Sequence, residues 1–558
     1  MTYARTAAAI VVLFCFGSLS AQKPKDSKAV SSLEGIVVAA GNGQPISGAR
    51  VSLMKNPGIL TRSGTGGPEL PHELDYRYIS KVSTTDASGR FAFADMDPEV
   101  NGLVVGANGY VRQEFEREDF PEKGKSLVVR MTATGIVSGV VRGEGARPLA
   151  KVSVQLLRYV YSDSGQRRLK PFGSAKTNDL GEYRLFGITP GRYYLRAGTN
   201  GRPYDDSFAG IVSPLFYPGD EDTAQATIVE VESGQERKGL DFILKQQQSY
   251  RIRGRLVETS PEHAADSQNS LRLFYIGGGF STGDDVGNLW SSARLSADGT
   301  FEFRDIVPGL YAIAGGDNSY RGLATVRIGN SDIDNVVITL SSLTVKGRIH
   351  FEGTPLSSDD SRFVGFNLLP LLPFGTLDSE SWLGGSTWLQ SSGPEQDGTF
   401  AFIDVISMDY RLEMGWLASG YYLKRAELDG VDVLSRPFHP YSADGILDVI
   451  LSSNGGQISA TVVDEKGRPL RGVQAALVPD RTRDRIDLYR SATADRDGKV
   501  SFDGIPPGDY KLFAWESVED NSWFDPEVIR RFDSKGKSVH VGVSSKQTVQ
   551  VRVIPASK

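Results

Sequence analysis

Asp497-Gly498-Lys499-Val500-Ser501-Phe502-Asp503-Gly504-Ile505-Pro506-Pro507-Gly508-Asp509-Tyr510 is the stretch from which the fold follows. Asp497-Gly498 suits a turn that needs positive φ, and such a dipeptide beside alternating residues marks a hairpin. Val500 and Phe502 alternate with polar neighbours, the period of a half-buried strand. Pro507-Gly508 stops that strand with a fixed φ followed by a permissive residue. A new strand starts at Tyr510-Lys511-Leu512.

The same run recurs upstream as Gly181, Tyr183, Pro190, Gly191, Tyr193 and as Gly299, Phe301, Pro308, Gly309, Tyr311. Another copy keeps Gly398, Phe400 and Tyr410, with Met408-Asp409 in place of Pro-Gly, and the first keeps Gly89, Phe91 and Phe93 without the tyrosine. Turn glycine and tyrosine are 12 residues apart in all four copies that have both. The tyrosine is expected to be a core residue or a tyrosine corner, its hydroxyl tied to the backbone. A second signature opens four of the five units: Gly43-Gln44-Pro45-Ile46, Ala146-Arg147-Pro148-Leu149, Gly353-Thr354-Pro355-Leu356 and Gly467-Arg468-Pro469-Leu470. Short alternating strands punctuated by Gly/Pro turns, about seven per unit, predict an all-β chain: a tandem array of about five immunoglobulin-like (prealbumin-like) seven-stranded β-sandwiches. The expected layout is signal peptide 1–21, linker 22–32 and sandwiches at 33–131, 132–246, 247–341, 342–452 and 453–558.

The pair of signatures resembles the carboxypeptidase regulatory-like domain family, carried best by Gly467 to Val473, Asp497-Gly498 and Gly504 to Tyr510. These are transthyretin-like sandwiches, close in fold to collagen-adhesin B-type repeats and starch-binding-like domains. The resemblance implies fold and leaves function open, because such sandwiches carry many roles. B-type repeats can hold a lysine–asparagine isopeptide bond. Only Lys346 stands near the right strand, and the matching last strand has no asparagine, so the bond is not expected.

The N-terminus differs in kind from the repeats. Arg5, the apolar run Ala7 to Phe16 and Ser18-Leu19-Ser20-Ala21 form a secretory signal pattern with a cut after Ala21. Cys15, the one cysteine of the 558 residues, lies inside that run, so the mature chain has none. Sandwiches of ~95–115 residues can hold on core burial without disulfides. A net charge of −6 argues against a nucleic-acid partner. No later apolar run is long enough to span a bilayer. A monomer is expected, exported to the periplasm or the exterior.

No catalytic residue, cofactor or metal is expected, and the chain reads as not an enzyme. The histidines His72, His263, His350, His439 and His540 fall about one per unit and lack zinc-ligand spacing. Gly279-Phe280-Ser281-Thr282-Gly283 has the string of a nucleophile elbow but no helix to follow. The Asp-Gly turns have too few acidic positions for an EF-hand loop. Aromatics at Phe172, Trp290, Trp388 and Tyr489 occupy one repeat position, which points to packing. Loop aromatics are the candidates for binding: Tyr217, Trp382, Phe438, Trp523 and Phe524. They form either a ligand surface or lids and inter-domain contacts. The expected function is an exported non-catalytic binding or scaffold protein of the cell envelope, with a polysaccharide or envelope protein as partner. The alternative is an accessory module acting beside a separate enzyme or outer-membrane transporter.

Overall fold

The structure is a computed structural model describing residues 32–55, 78–122, 124–161, 167–198, 214–220, 223–245, 248–258, 270–275, 290–316, 322–340, 343–357, 364–372, 375–376, 390–395, 397–440 and 445–556. Among them, ten sheets pair into five sandwiches, and the one α-helix is Pro526–Phe532. The chain divides into two compact units near Met131, the first sandwich forming one and the other four the second.

In the first unit a sheet ordered Arg90–Phe93, Leu33–Ala39, Leu127–Met131 faces one ordered Ile79–Thr84, Arg50–Met54, Gly102–Gly106, Gln113–Glu116. First and last strands run parallel, Gly35 opposite Leu127 through Ala39 opposite Met131. Leu33, Val37, Val51, Leu53, Phe91, Val105 and Val129 close the core between them.

The second unit repeats this plan. In its last sandwich Lys499–Ile505, Gly456–Val463 and Lys546–Arg552 form the three-stranded sheet. Arg490–Thr493, Gln474–Pro479, Gly508–Trp515 and Lys537–Val541 form the other. The core is Ile458, Val462, Leu477, Phe502, Tyr510, Leu512 and Val541, all buried.

The two signatures co-occur because they share one residue of the opening strand. Val462 N–H donates to the carbonyl of turn residue Gly498 (2.7 Å), and its own carbonyl accepts from Leu470 N–H of the Pro-Leu segment (3.0 Å). Val37 does the same with Gly89 and Ile46, and Val141 with Gly181 and Leu149. Where the Pro-Leu bond is missing only the first half remains, from Leu256 to Gly299 and from Ile349 to Gly398. The turn glycine has positive φ in every sandwich, 71° at Gly498. A Cβ at Gly498 would meet Val462 O and Pro469 Cβ at 2.9 Å, whereas at Gly299 and Gly398 the nearest atoms are 3.1 and 3.3 Å away. Where the Pro segment bonds the opening strand it clamps the turn, and where that bond is missing, in the third and fourth sandwiches, the turn is looser.

The repeated tyrosine is a corner as well as a core residue. Its hydroxyl donates to the carbonyl four residues back: Tyr193 to Thr189 (2.6 Å), Tyr311 to Val307 (2.9 Å) and Tyr510 to Pro506 (2.8 Å). In the fourth sandwich the polarity reverses, and the Tyr410 hydroxyl accepts from Ile406 N–H (3.2 Å). In register, Ser407-Met408 occupies the Pro-Gly place there, one residue earlier than Met408-Asp409. Tyr510→Phe removes the donor to the buried Pro506 carbonyl and should lower the stability of its sandwich by about 1 kcal/mol, because an under-satisfied carbonyl is tolerated better than an orphaned N–H. Tyr410→Phe leaves a buried N–H unpaired and should lower it by up to about 3 kcal/mol. Denaturant titration of the two variants checks the order, and the reverse order would refute the polarity assigned here.

Facing the turn, a glycine on the opening strand pairs with the aromatic that follows it: Gly35 with Phe91, Gly139 with Tyr183, Gly254 with Phe301 and Gly347 with Phe400. The ring covers the glycine, as in aromatic rescue of a sheet glycine. In the fifth sandwich both partners change together, to Ala460 and Val500.

The fourth sandwich departs in topology too. Its strand Tyr422–Leu428 joins the first sheet, beside the last strand Ile446–Ser452, instead of lining the tyrosine strand. The tyrosine strand Tyr410–Trp416 is bridged instead by Phe438, through Tyr410 N–H to Phe438 O (2.8 Å) and Phe438 N–H to Tyr410 O (2.9 Å).

Candidate functional site

The aromatic loops lead to the outer face of the fifth sandwich. After strand Gly508–Trp515 the chain leaves the sheet at Glu516 and crosses that outer face. Asn521 turns it with φ +61° into the short turn Ser522–Phe524. Asp525 then caps helix Pro526–Phe532, its Oδ1 accepting from Glu527 N–H (2.8 Å), with Pro526 in the first turn where no amide is needed. At the far end Asp533 binds Lys511 and Arg483 (2.7 Å to the latter). Those two cations hold its carboxyl below the usual range.

The excursion buries a second apolar cluster of Ala476, Val478, Tyr489, Phe513, Trp515, Trp523, Ile529 and Ile554. Trp515 stacks on Phe513 at 5.3 Å and on Trp523 at 6.5 Å, and Phe532 meets it edge-on at 5.9 Å. Trp523 is 3% exposed. Phe524 is half-buried against Tyr489 at 4.8 Å. These two aromatics therefore close a lid.

The other candidates sit similarly. Tyr217 is half-buried, its ring 5.8 Å from Phe242, and its backbone is tied to Leu195 and Thr227 (2.8 Å each). Its neighbour Phe216 is fully buried against Leu157 and Leu169. Phe438 is 9% exposed and belongs to the fourth core. Trp382, Trp388 and Ser281 lie outside the described residues. Phe172 and Tyr489 are buried, as their shared repeat position implies. Asp298 and Asp397 direct their carboxylates to Thr300 and Thr399 of their own turns, and those hydrogen bonds hold both below the usual carboxylate range.

The same loops also join one sandwich to another, which sequence spacing did not reveal. Asp525 Oδ2 accepts from the Tyr161 hydroxyl of the second sandwich (2.8 Å), so one carboxylate both caps the helix and holds a partner. Burial and the adjoining Asp525 push the Tyr161 hydroxyl up to about 12. Close by, Arg167 lies over the Tyr159 ring at 4.0 Å and Arg158 over Phe172 at 4.3 Å. Burial pushes the Glu519 carboxyl up, and Arg158 and Arg167 oppose that shift. Between the fourth and fifth sandwiches, Ser419 bonds Asp503, and a Cβ at Gly504 would lie 2.5 Å from Tyr421 O. Gly504→Ala should therefore part this joint at a strain of about 1–3 kcal/mol. Limited proteolysis should then cut faster at 453–455, with both sandwiches still folded. Unchanged cleavage would show the joint to be loose already.

No protein-family model matches the chain, and no curated protein matches it either. Solved structures similar to it include the Bacillus anthracis TIE protein (8% identity over 81% of this chain and 71% of that one, TM-score 0.15). A streptococcal ancillary pilin is 11% identical over 55% and 99%, with a TM-score of 0.19. Two B repeat units of the Staphylococcus aureus collagen-binding protein are 10% identical over 76% and 99%, with a TM-score of 0.14. The sandwich class stands on the sheet topology of the chain itself, and likeness at this level transfers no function.

Proposed function

We propose that the chain is an exported scaffold or binding protein of the cell envelope, built from sandwiches of the carboxypeptidase regulatory-like kind, whose framework has no turnover role. The observation that supports this is the use of its variable loops. The loop carrying Trp523, Phe524 and Asp525 closes one sandwich face and fastens that sandwich to another. Such loops favour a chain that holds its second and fifth sandwiches in fixed relation and meets partners through its outer surface. The signal pattern at residues 1–21 supports export. The partner is a polysaccharide or an envelope protein. Within the polysaccharide reading, Tyr217 and Phe524 are the half-buried aromatics that could meet a sugar ring. The accessory reading differs in partner only, which would be a separate enzyme or an outer-membrane transporter.

Photo-crosslinking amino acids placed at Tyr217 and Phe524 in the native host test this. An adduct with a glycan or a defined envelope protein is the expected result, and its identity separates the two readings. Retention of the chain in the cytoplasm would overturn the proposal. So would correct export with no adduct at either position or at exposed Phe186, Ile243 and Ile403.

A further inference from the structure

The departures of the fourth sandwich from its siblings converge on one spot. Ser407-Met408 replaces Pro-Gly in the turn before the tyrosine. The next strand has moved to the other sheet, so the loop through Phe438 flanks the tyrosine strand, and the Tyr410–Phe438 bridge sets its register. That register brings His439 to the turn. Its Nδ1 is 2.9 Å from Asp409 Oδ1, and its Nε2 is 3.0 Å from Ser407 Oγ. Hydroxyl, imidazole and carboxylate are joined in series through the two ring nitrogens. In that order a base can withdraw the hydroxyl proton while a carboxylate fixes ring orientation and tautomer.

Two further observations support a reactive site. Ser407 is exposed, so a reagent can reach it, while the His439 side chain is 24% exposed. The amides of Ser407, Met408 and Asp409 have no hydrogen-bond acceptor among the described residues, which leaves donors on the same turn for a developing oxyanion. The fifth sandwich supplies an internal comparison. His540 Nδ1 lies 2.7 Å from Asp509 Oδ1, and Asp509, like Asp409, immediately precedes the tyrosine. Pro507 stands there at the place of Ser407. The His–Asp pair is common to both sandwiches, and only the fourth adds a nucleophile to it.

We propose that Ser407 is an activated acyl acceptor that takes an acyl group from a carboxylic ester or thioester. Its Oγ forms a bond to the acyl carbon as the bond from that carbon to the leaving oxygen or sulfur breaks. The serine proton passes to His439 Nε2 and then to the departing alkoxide or thiolate, so nothing is oxidised or reduced. Ser407 and His439 are the reacting groups, and Asp409 is a positioning residue. The Asp409 side chain is 62% exposed. Its field is therefore weakened by water, and the chemistry suits one acylation of the surface more than sustained turnover. The product is an O-acylserine, a covalent attachment point that goes beyond the scaffold reading and does not depend on it.

The test treats the mature chain with p-nitrophenyl acetate, and separately with a fluorophosphonate, and maps the adduct by peptide mass. The expected result is a single adduct on Ser407, absent in Ser407→Ala. His439→Gln should slow labelling by about 100-fold, the lower end of general-base effects. Asp409→Asn should slow it and Asp409→Glu restore part of the rate, while Asp509→Asn leaves it unchanged. Circular dichroism confirms that each variant is folded. No adduct on Ser407, or equal labelling in His439→Gln, overturns the proposal. Crosslinked partners that persist in Ser407→Ala keep the scaffold reading separate from this one.

Discussion

Trp523→Ala is expected to destabilise the fifth sandwich by about 3 kcal/mol, the lower end of the ~3–5 kcal/mol typical of a buried Trp→Ala change. The lower end applies because the Trp523 and Trp515 indole N–H groups and Ser522 Oγ are buried without a partner among the described residues. A buried unpaired polar group opposes folding by about 1–3 kcal/mol. Losing the indole uncovers Trp515, whose stacked partners are Phe513 and Trp523. Tryptophan emission should shift to longer wavelength, and thermal unfolding of the fifth sandwich should begin earlier. The Asp525–Tyr161 bond depends on the same lid, so Tyr161→Phe should add little further loss in the Trp523→Ala background. A variant with unchanged stability and emission would mean that Trp523 does not form a lid.

Gly347→Ala should lower the stability of the fourth sandwich by about 2–3 kcal/mol, the overpacking range. A Cβ there would overlap the tip of the Phe400 ring, and only Phe400 atoms lie nearest to it. Phe400 is 4% exposed and stacks on Phe366 at 4.8 Å, so it cannot swing aside freely. The fifth sandwich carries the compensated pair Ala460 and Val500. The double variant Gly347→Ala with Phe400→Val should accordingly be more stable than the sum of the singles by about 1–3 kcal/mol. Chemical denaturation of the four proteins of the cycle measures that coupling. Additive effects would show that the pairing reflects independent choices at the two positions.

The framework was legible in sequence because its determinants are local. Asp497-Gly498, the Val500/Phe502 alternation and Pro507-Gly508 each act over a few residues, so their chemistry can be read without knowing the partner strand. The repeat position of Tyr510 followed from its fixed distance to Gly498, while its hydroxyl bond to Pro506 did not. The strand transfer in the fourth sandwich was not legible. Alternation across Tyr422–Leu428 says which side chains are buried and not which sheet receives the strand. The loops left two readings open, ligand surface or lid, for a related reason. Trp523 looks like a free aromatic because its cover comes from Trp515, a strand residue, and from Ile554, which bridges Trp515 beyond the end of the last strand, and neither carries a local sign of that contact. Tyr161 and Asp525 are 364 residues apart, and no spacing rule links them. His439 showed no ligand spacing, and its two neighbours become visible only through the Phe438 bridge.

The parallel pairing of first and last strands has a mechanical consequence. Tension applied through the chain pulls these two strands along their length in opposite directions. Their hydrogen bonds are then loaded together in shear rather than opened one at a time like a zipper. The shared ladder runs from Gln457–Lys546 to Val463–Arg552 in the fifth sandwich and from Lys346–Ile446 to Glu352–Ser452 in the fourth. In the second it is reduced to two short pieces, Ile136–Val137 with Glu236–Arg237 and Val141–Arg142 with Phe242–Ile243. Under a pulling force the second sandwich should therefore yield before the fourth and fifth, giving a lower force peak than theirs when single molecules are stretched.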